Sequence, residues 1–118
     1  MKSKLLPLIG VLFIFFTACK TEVVEELLPC NTINVTYSET IEPILQSNCY
    51  RCHDNANAFA GVVLEGYSNV MTYVTNDKLL GVIRHEDGFA AMPRDAGKLP
   101  DCQIEQLEIW INDGAQNN

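Results

Sequence analysis

The feature that most constrains this chain is the run Cys49 to His53, which reads CYRCH. Two cysteines three positions apart, followed at once by a histidine, form the attachment pattern of covalently bound haem. The spacing lets the two thiols reach the vinyl groups on one porphyrin edge, with the histidine beneath the iron. We therefore expect one haem c, bound through Cys49 and Cys52, with His53 as the proximal iron ligand.

Two other uses of this motif are possible. A Cys-x-x-Cys pair also serves thiol redox chemistry, but the thioredoxin-like case needs a βαβ pattern that the sequence lacks. A structural zinc site needs four ligands at suitable spacing, and the sequence has no second Cys-x-x-Cys and no His-x-x-x-His. A haem-free protein with thiol or metal chemistry is the weaker alternative.

Three residues downstream of the motif are candidates for the sixth iron ligand. Met92 stands in a loop marked by glycine and proline, which can bring its thioether over the open face of the iron. Met71 lies in the segment 67–74, which is interpreted as a short helix or strand, and is assigned to the core. His85 precedes two acidic residues and is expected to be exposed or hydrogen-bonded to a haem propionate. Met92 is favoured, and His85 or an open site are the alternatives.

The identity of the sixth ligand decides the function class. A His/Met pair closes both axial positions and raises the reduction potential, so the iron only accepts and returns an electron. We therefore expect an electron carrier and not an enzyme. An open or displaceable position would instead indicate a haem enzyme or sensor.

The N-terminus has the parts of a secretory signal. Residues 1–4 are basic, 5–16 are almost wholly apolar, and small residues lead to Cys19. The apolar run is shorter than the roughly 20 residues that span a bilayer. Residues 16–19 resemble the lipobox of bacterial lipoproteins, which implies cleavage before Cys19 and lipidation of that residue. An ordinary signal peptide that ends near a cysteine is the alternative.

These signals divide the chain into three parts. We expect a lipoprotein signal peptide at 1–18, a flexible acid-rich tether at 19–29, and one domain at 30–118. Several acyl chains on Cys19 would make a firm membrane anchor. The predicted location is the cell envelope, with Lys20 a hint, by analogy, toward the outer membrane facing the periplasm.

The cysteine count predicts a disulfide. There are five cysteines, and export places them in an oxidising compartment. With Cys19 assigned to lipid and Cys49 and Cys52 to haem, Cys30 and Cys102 remain and are paired. Two separate buried thiols are the alternative.

The chain is acidic, with 15 acidic and 8 basic residues and a net charge of −7. Cleavage would remove Lys2 and Lys4 and make the charge about −9. This balance argues against nucleic-acid binding. It suits docking to a basic patch on a redox partner, although solubility alone explains it equally well.

The apolar spacing predicts helices and no sheet. A first helix is expected near Tyr37, with Thr36 or Ser38 as its cap and Pro43 in its first turn. A loop, 55–65, is expected to wrap the haem edge. Short helices are expected over 68–74 and 78–83.

The last helix has the clearest pattern. Asp101 is its expected cap, and Gly114 is expected to end it. Ile104, Leu107 and Ile111 form the apolar stripe, and Trp110 beside them is expected to anchor the core. The predicted fold class is all-α, with three to five helices.

The order of these motifs resembles small bacterial monohaem cytochrome c domains. The opening of such domains is similar to Tyr37–Leu45 followed by Cys49–His53, and their ending to Met92-Pro93, Lys98-Leu99 and Trp110–Ala115. The likeness covers about 85 residues and, in its lipoprotein form, resembles proteins common in Bacteroidetes. It implies the class I cytochrome c fold around one haem, with His53 and Met92 as axial ligands.

The sequence departs from that family in two places. Many members have a proline soon after the haem motif, whose carbonyl orients the proximal histidine. This chain has no proline between His53 and Met92, which leaves the partner of the His53 ring N–H open. Pro100 stands where related domains often have serine, which shifts the expected cap to Asp101.

Overall fold

A computed structural model describes residues 29–118 of the chain. The signal peptide at 1–18, the lipidation at Cys19 and all but the last residue of the tether at 19–29 lie outside the described residues. Helices make up 51% of the described part and it contains no strand, which agrees with the all-α class. None of the helices within 29–118 has the length and hydrophobicity of a membrane-spanning segment.

The described range contains five α-helices. They are α1 Glu42–Asn48, α2 Tyr50–His53, α3 Tyr67–Val74, α4 Lys78–Arg84 and α5 Asp101–Asn112. A π-helical turn, Tyr37–Ile41, leads into α1, and a 3₁₀ turn, Phe59–Gly61, interrupts the loop between α2 and α3. The expected helices over 68–74 and 78–83 are therefore present, each longer by one residue.

The first helix starts as the sequence predicts but takes a wider turn. Thr36 is the N-cap, and its Oγ1 accepts the Glu39 N–H at 3.2 Å. Helical structure then begins at Tyr37, so Pro43 lies in the first turn of α1 but not of the whole helical segment. In an α-helix, a proline ring collides with the carbonyl four residues before it. The π-helical turn directly before Pro43 changes the position of that carbonyl relative to the ring.

The expected cap of the last helix is wrong by one residue. Pro100 occupies the N-cap position and Asp101 is the first helical residue. The Pro100 carbonyl accepts the N–H groups of Gln103 and Ile104 at 2.9 and 3.2 Å. The first N–H groups of a helix have no acceptor within the helix, and a proline adds no further N–H group to them. Pro100 is therefore tolerated at the N-cap although it has no polar side chain.

Trp110 and not Ile111 completes the buried stripe of α5. Ile104, Leu107 and Trp110 are buried, whereas Ile111 is half-buried. Trp110 is 1% exposed, and its ring packs against the rings of Tyr37 and Tyr67, with centroids 5.7 and 6.4 Å away. The prediction that Trp110 anchors the core is confirmed.

Two long-range connections tie the ends of the domain together. The structure joins Cys30 to Cys102 in a disulfide, which links residues 72 positions apart and connects the start of the domain to α5. At the other end, Asn118 accepts the Tyr37 N–H on its Oδ1 and the Ser38 N–H on its backbone oxygen, both at 2.9 Å. The first helix is therefore held by residues from the far end of the chain.

Candidate functional site

A cavity of about 590 Å³ opens beside the CYRCH motif. Its walls come from α2, the following loop, α4 and the segment between α4 and α5. The apolar lining includes Val62, Leu64, Leu79, Val82, Ile83 and Leu99. The volume lies within the range of about 300 to 1,000 Å³ that small-molecule and cofactor pockets occupy.

His53 lies at the end of α2 and lines this cavity. It is buried, and its Nδ1 is 3.2 Å from the Val62 carbonyl oxygen. A carbonyl only accepts hydrogen bonds, so Nδ1 is the donor in this contact, and Nε2 is the ring nitrogen left to bind a metal ion. The Val62 carbonyl is therefore positioned to fix the orientation of the His53 ring.

The backbone fixes this arrangement from a second side. The Leu64 N–H donates to the His53 carbonyl oxygen at 2.7 Å, two residues beyond Val62. The loop after α2 therefore returns to the end of that helix and brings its own carbonyl to the imidazole. Such outer contacts orient a histidine ligand and set its tautomer.

Cys49 and Cys52 are free thiols, and both line the cavity. Cys52 is exposed, whereas burial raises the pKa of the Cys49 thiol to about 11. Thiol redox pairs rely on a cysteine whose pKa is lowered, because the thiolate is the reactive form. The surroundings of Cys49 favour the neutral thiol and give the redox-pair alternative no support.

The three candidates for the sixth ligand lie in different environments. Met92 is half-buried and lines the cavity. Met71 packs against the hydrophobic core from α3 and is not part of the cavity wall. His85 is also absent from that wall, and its ring Nε2 lies 3.0 Å from the Met92 carbonyl oxygen. Of the three, Met92 is the one that faces the same space as His53.

No group of three or more His, Cys, Asp or Glu side chains within 29–118 could hold a metal ion by itself. The alternative of a haem-free metal site therefore finds no ligand set in the described part of the chain. An imidazole and a thioether on the walls of one apolar cavity, with two thiols beside them, fit a porphyrin-bound iron better than a bare ion.

The opening of the cavity is basic although the domain is acidic. Arg84 pairs with Glu86 and Glu108, and Lys98 lies 4.0 Å from Asp101. The other three basic residues of 29–118 are exposed and line the cavity: Arg51, Lys78 and Arg94, here termed the basic rim. Asp95 is the one acidic residue of the lining. The charge beside the cavity is therefore positive, whereas the net charge of the chain, from which a basic partner was predicted, is negative.

An aromatic contact joins the two loops that flank the cavity. The Arg94 guanidinium lies over the Phe59 ring, 5.6 Å from its centroid, and Phe59 is 55% exposed. Phe59 belongs to the loop after α2 and Arg94 to the segment that carries Met92. Cation–π contacts at such exposed sites contribute about 0.5 to 1 kcal/mol.

Comparison of the chain with models of protein families, with curated proteins and with solved structures gives no match. Sequence reasoning missed the Val62 carbonyl and the contact of the His85 ring. The position of a backbone carbonyl cannot be inferred from residue identity. The His85 contact could have been suspected, because a histidine directly after a helix C-terminus, where glycine is common, is unusual.

Proposed function

We propose that this chain is a monohaem c-type cytochrome that transfers single electrons in the cell envelope. The observation that carries the proposal is the shared cavity, which receives His53 from one wall and Met92 from another, with Cys49 and Cys52 beside them. The lone pair of His53 Nε2 is available because Nδ1 is held by the Val62 carbonyl.

The residues present would each have a defined role. Cys49 and Cys52 would hold the macrocycle through thioether bonds, and His53 and Met92 would bind its iron. The apolar walls would keep water away, while the Val62 carbonyl would fix the imidazole plane. When bound, the haem iron supplies a reversible one-electron couple whose potential the axial ligands and the burial set.

The N-terminal sequence supports a location for this activity. A lipid on Cys19 would tether the domain to a membrane, with the acid-rich residues 20–29 as spacer. The partners would be other redox proteins of the envelope. The three residues of the basic rim are exposed and line the cavity, so a redox partner that docks at this face would present acidic groups.

The experiment that tests this function compares two methionines. The full chain is produced with the haem c maturation machinery, and visible spectra are recorded oxidised and reduced, including the far-red region. Met92→Leu and Met71→Leu both keep apolar volume and both lose the sulfur. We expect sharp reduced bands and a far-red sulfur-to-iron band that Met92→Leu abolishes and Met71→Leu preserves.

Other outcomes would change the assignment. Covalent haem without the far-red band in the wild-type protein would point to His85 or an open, reactive iron. A colourless protein would remove the cytochrome proposal and leave a thiol or metal protein.

A further inference from the structure

The segment that carries Met92 is folded back onto α4. His85 follows the last residue of that helix in the left-handed conformation, with φ 57° and ψ 43°. Its N–H closes the helix end on the carbonyl oxygens of Gly81 and Val82. The left-handed residue reverses the chain, so residues 86–92 run beside the helix that they have just left.

A histidine at this position is unusual on backbone grounds. Glycine and, less often, asparagine are preferred at a left-handed helix end, because other side chains crowd the backbone there. The side chain of His85 makes a contact that glycine could not make. Its Nε2 donates to the Met92 carbonyl oxygen at 3.0 Å, since a carbonyl can only accept.

Met92 is thereby held at both of its peptide groups. Its own N–H donates to the Val82 carbonyl oxygen at 3.0 Å, and its carbonyl accepts from His85. Both anchors belong to α4 or to the residue that ends it. A methionine side chain is flexible and specifies its own position poorly, so a fixed backbone is what places the sulfur.

A third contact holds the middle of the same segment. The Phe89 ring covers Gly81, where an added Cβ would lie 2.7 Å from three ring atoms. The Glu86 N–H also donates to the Gly81 carbonyl oxygen at 3.0 Å. The return segment is therefore seated along one side of α4 from its start to Met92.

We propose that His85 is a positioning residue for Met92, a role that rests on the proposed function of Met92 as an iron ligand. The His85 ring does not line the cavity, so it acts through the Met92 carbonyl and not on the bound group. Its hydrogen bond keeps the thioether over the cavity and limits excursions of the loop. Outer contacts of this kind are what hold a site within the geometry it needs.

The test uses two substitutions at the same position in the full-length holoprotein. His85→Ala removes the donor, and His85→Gln restores a donor of similar reach. Neither replacement is glycine or asparagine, so both meet the same left-handed backbone penalty. The pair therefore separates loss of the hydrogen bond from strain at the helix end.

Two readouts are taken from each protein. The first is the far-red sulfur-to-iron band of the oxidised form. The second is hydrogen exchange of the Met92 amide in the reduced form, where the His85 contact should hold the loop closed. We expect His85→Ala to weaken the band and speed exchange about three- to tenfold, equivalent to about 0.7 to 1.4 kcal/mol at 1.4 kcal/mol per factor of ten. We expect His85→Gln to return both readouts toward wild type.

The outcomes distinguish this inference from the function beneath it. If the wild-type band is present and His85→Ala changes neither readout, or His85→Gln behaves like His85→Ala, His85 is not a positioning residue. If the wild-type protein binds haem but lacks the band, the ligand assignment of Met92 fails and the role of His85 fails with it.

Discussion

At the residue scale, the start of the first helix shows how distant parts of the chain complete one another. The first N–H groups of a helix have no acceptor within it. Here the Tyr37 and Ser38 N–H groups donate to Asn118, and the Glu39 N–H donates to Thr36. The local cap was predictable from the sequence, whereas the cap from Asn118 depends on the fold.

We predict that Asn118→Ala lowers the free energy of unfolding by about 1 kcal/mol, the usual effect of removing a helix cap. The Tyr37 N–H would lose its side-chain acceptor, while the Ser38 contact to the backbone would remain. Asn117→Ala, at an exposed neighbouring position, is the control and should have little effect. Denaturant unfolding of the holoprotein measures the difference, and equal effects would contradict the capping role.

A second residue-scale prediction concerns Tyr37 and alkaline pH. The Tyr37 hydroxyl is buried without a hydrogen-bond partner among the described residues, and burial raises the pKa of Tyr37 above its ordinary value of 10. The folded state therefore favours the neutral phenol. The contribution of Tyr37 to the free energy of unfolding is therefore fully present below about pH 10. It is lost as the pH rises through the pKa that Tyr37 has in the folded state.

Tyr37→Phe should remove that alkaline loss. It also removes an unpaired buried hydroxyl, so we expect stability at pH 7 to rise by up to about 1 kcal/mol. Between pH 7 and pH 10.5 to 11.5, the free energy of unfolding should fall more steeply in the wild type than in Tyr37→Phe. A wild-type decrease that is less steep than that of the variant would contradict this account. An unchanged slope above pH 10 would show that another group causes the loss.

At the scale of elements, α4 and its return segment form the unit on which the site depends. Gly81 lies in the buried face of α4 directly beneath Phe89. Replacement of a helical glycine by alanine ordinarily stabilises by about 1 kcal/mol. At Gly81 the added methyl group would collide with the ring, so the two effects oppose each other.

A double-mutant cycle separates these effects. We predict that Gly81→Ala stabilises a Phe89→Ala background by about 1 kcal/mol, the intrinsic helix preference. In the wild-type background the same change should give no stabilisation and should weaken the far-red band, because Phe89 is pushed off the helix. Equal effects of Gly81→Ala in the two backgrounds, measured by thermal unfolding, would disprove the packing of Phe89 on Gly81.

The elements also show what the sequence could and could not reveal. Apolar spacing predicted α3 and α4 to within one residue, because each buries one face. The Asp101 cap was wrong because a carbonyl, that of Pro100, replaces a side chain. The contact of the Val62 carbonyl with His53 could not be predicted for a similar reason, because it forms only when the loop folds back onto α2. Local chemistry is readable from sequence, and backbone contacts between segments are not.

At the scale of the whole molecule, the cavity is large for a domain of this size. A domain of 30–118 has a small core, and a 590 Å³ apolar space beside it removes packing partners from several walls. Covalent haem would restore those contacts. The Cys30–Cys102 disulfide reduces the conformational entropy of the unfolded chain, but it does not fill this cavity.

We therefore predict that the haem-free protein is poorly folded. A Cys49→Ala, Cys52→Ala variant keeps the disulfide and cannot form the thioethers. Its helix content by circular dichroism should fall well below that of the holoprotein. Helicity equal to the holoprotein would show that the cavity is stable without its ligand.

The measurement that tests the central claim most directly is the mass of the intact full-length protein after denaturation and acid–organic extraction. The protein is made with the haem c maturation machinery, beside Cys49→Ala, Cys52→Ala. The account predicts that the wild-type polypeptide retains the mass of one haem through extraction and that the variant retains none. A wild-type polypeptide that carries no haem after extraction would contradict it.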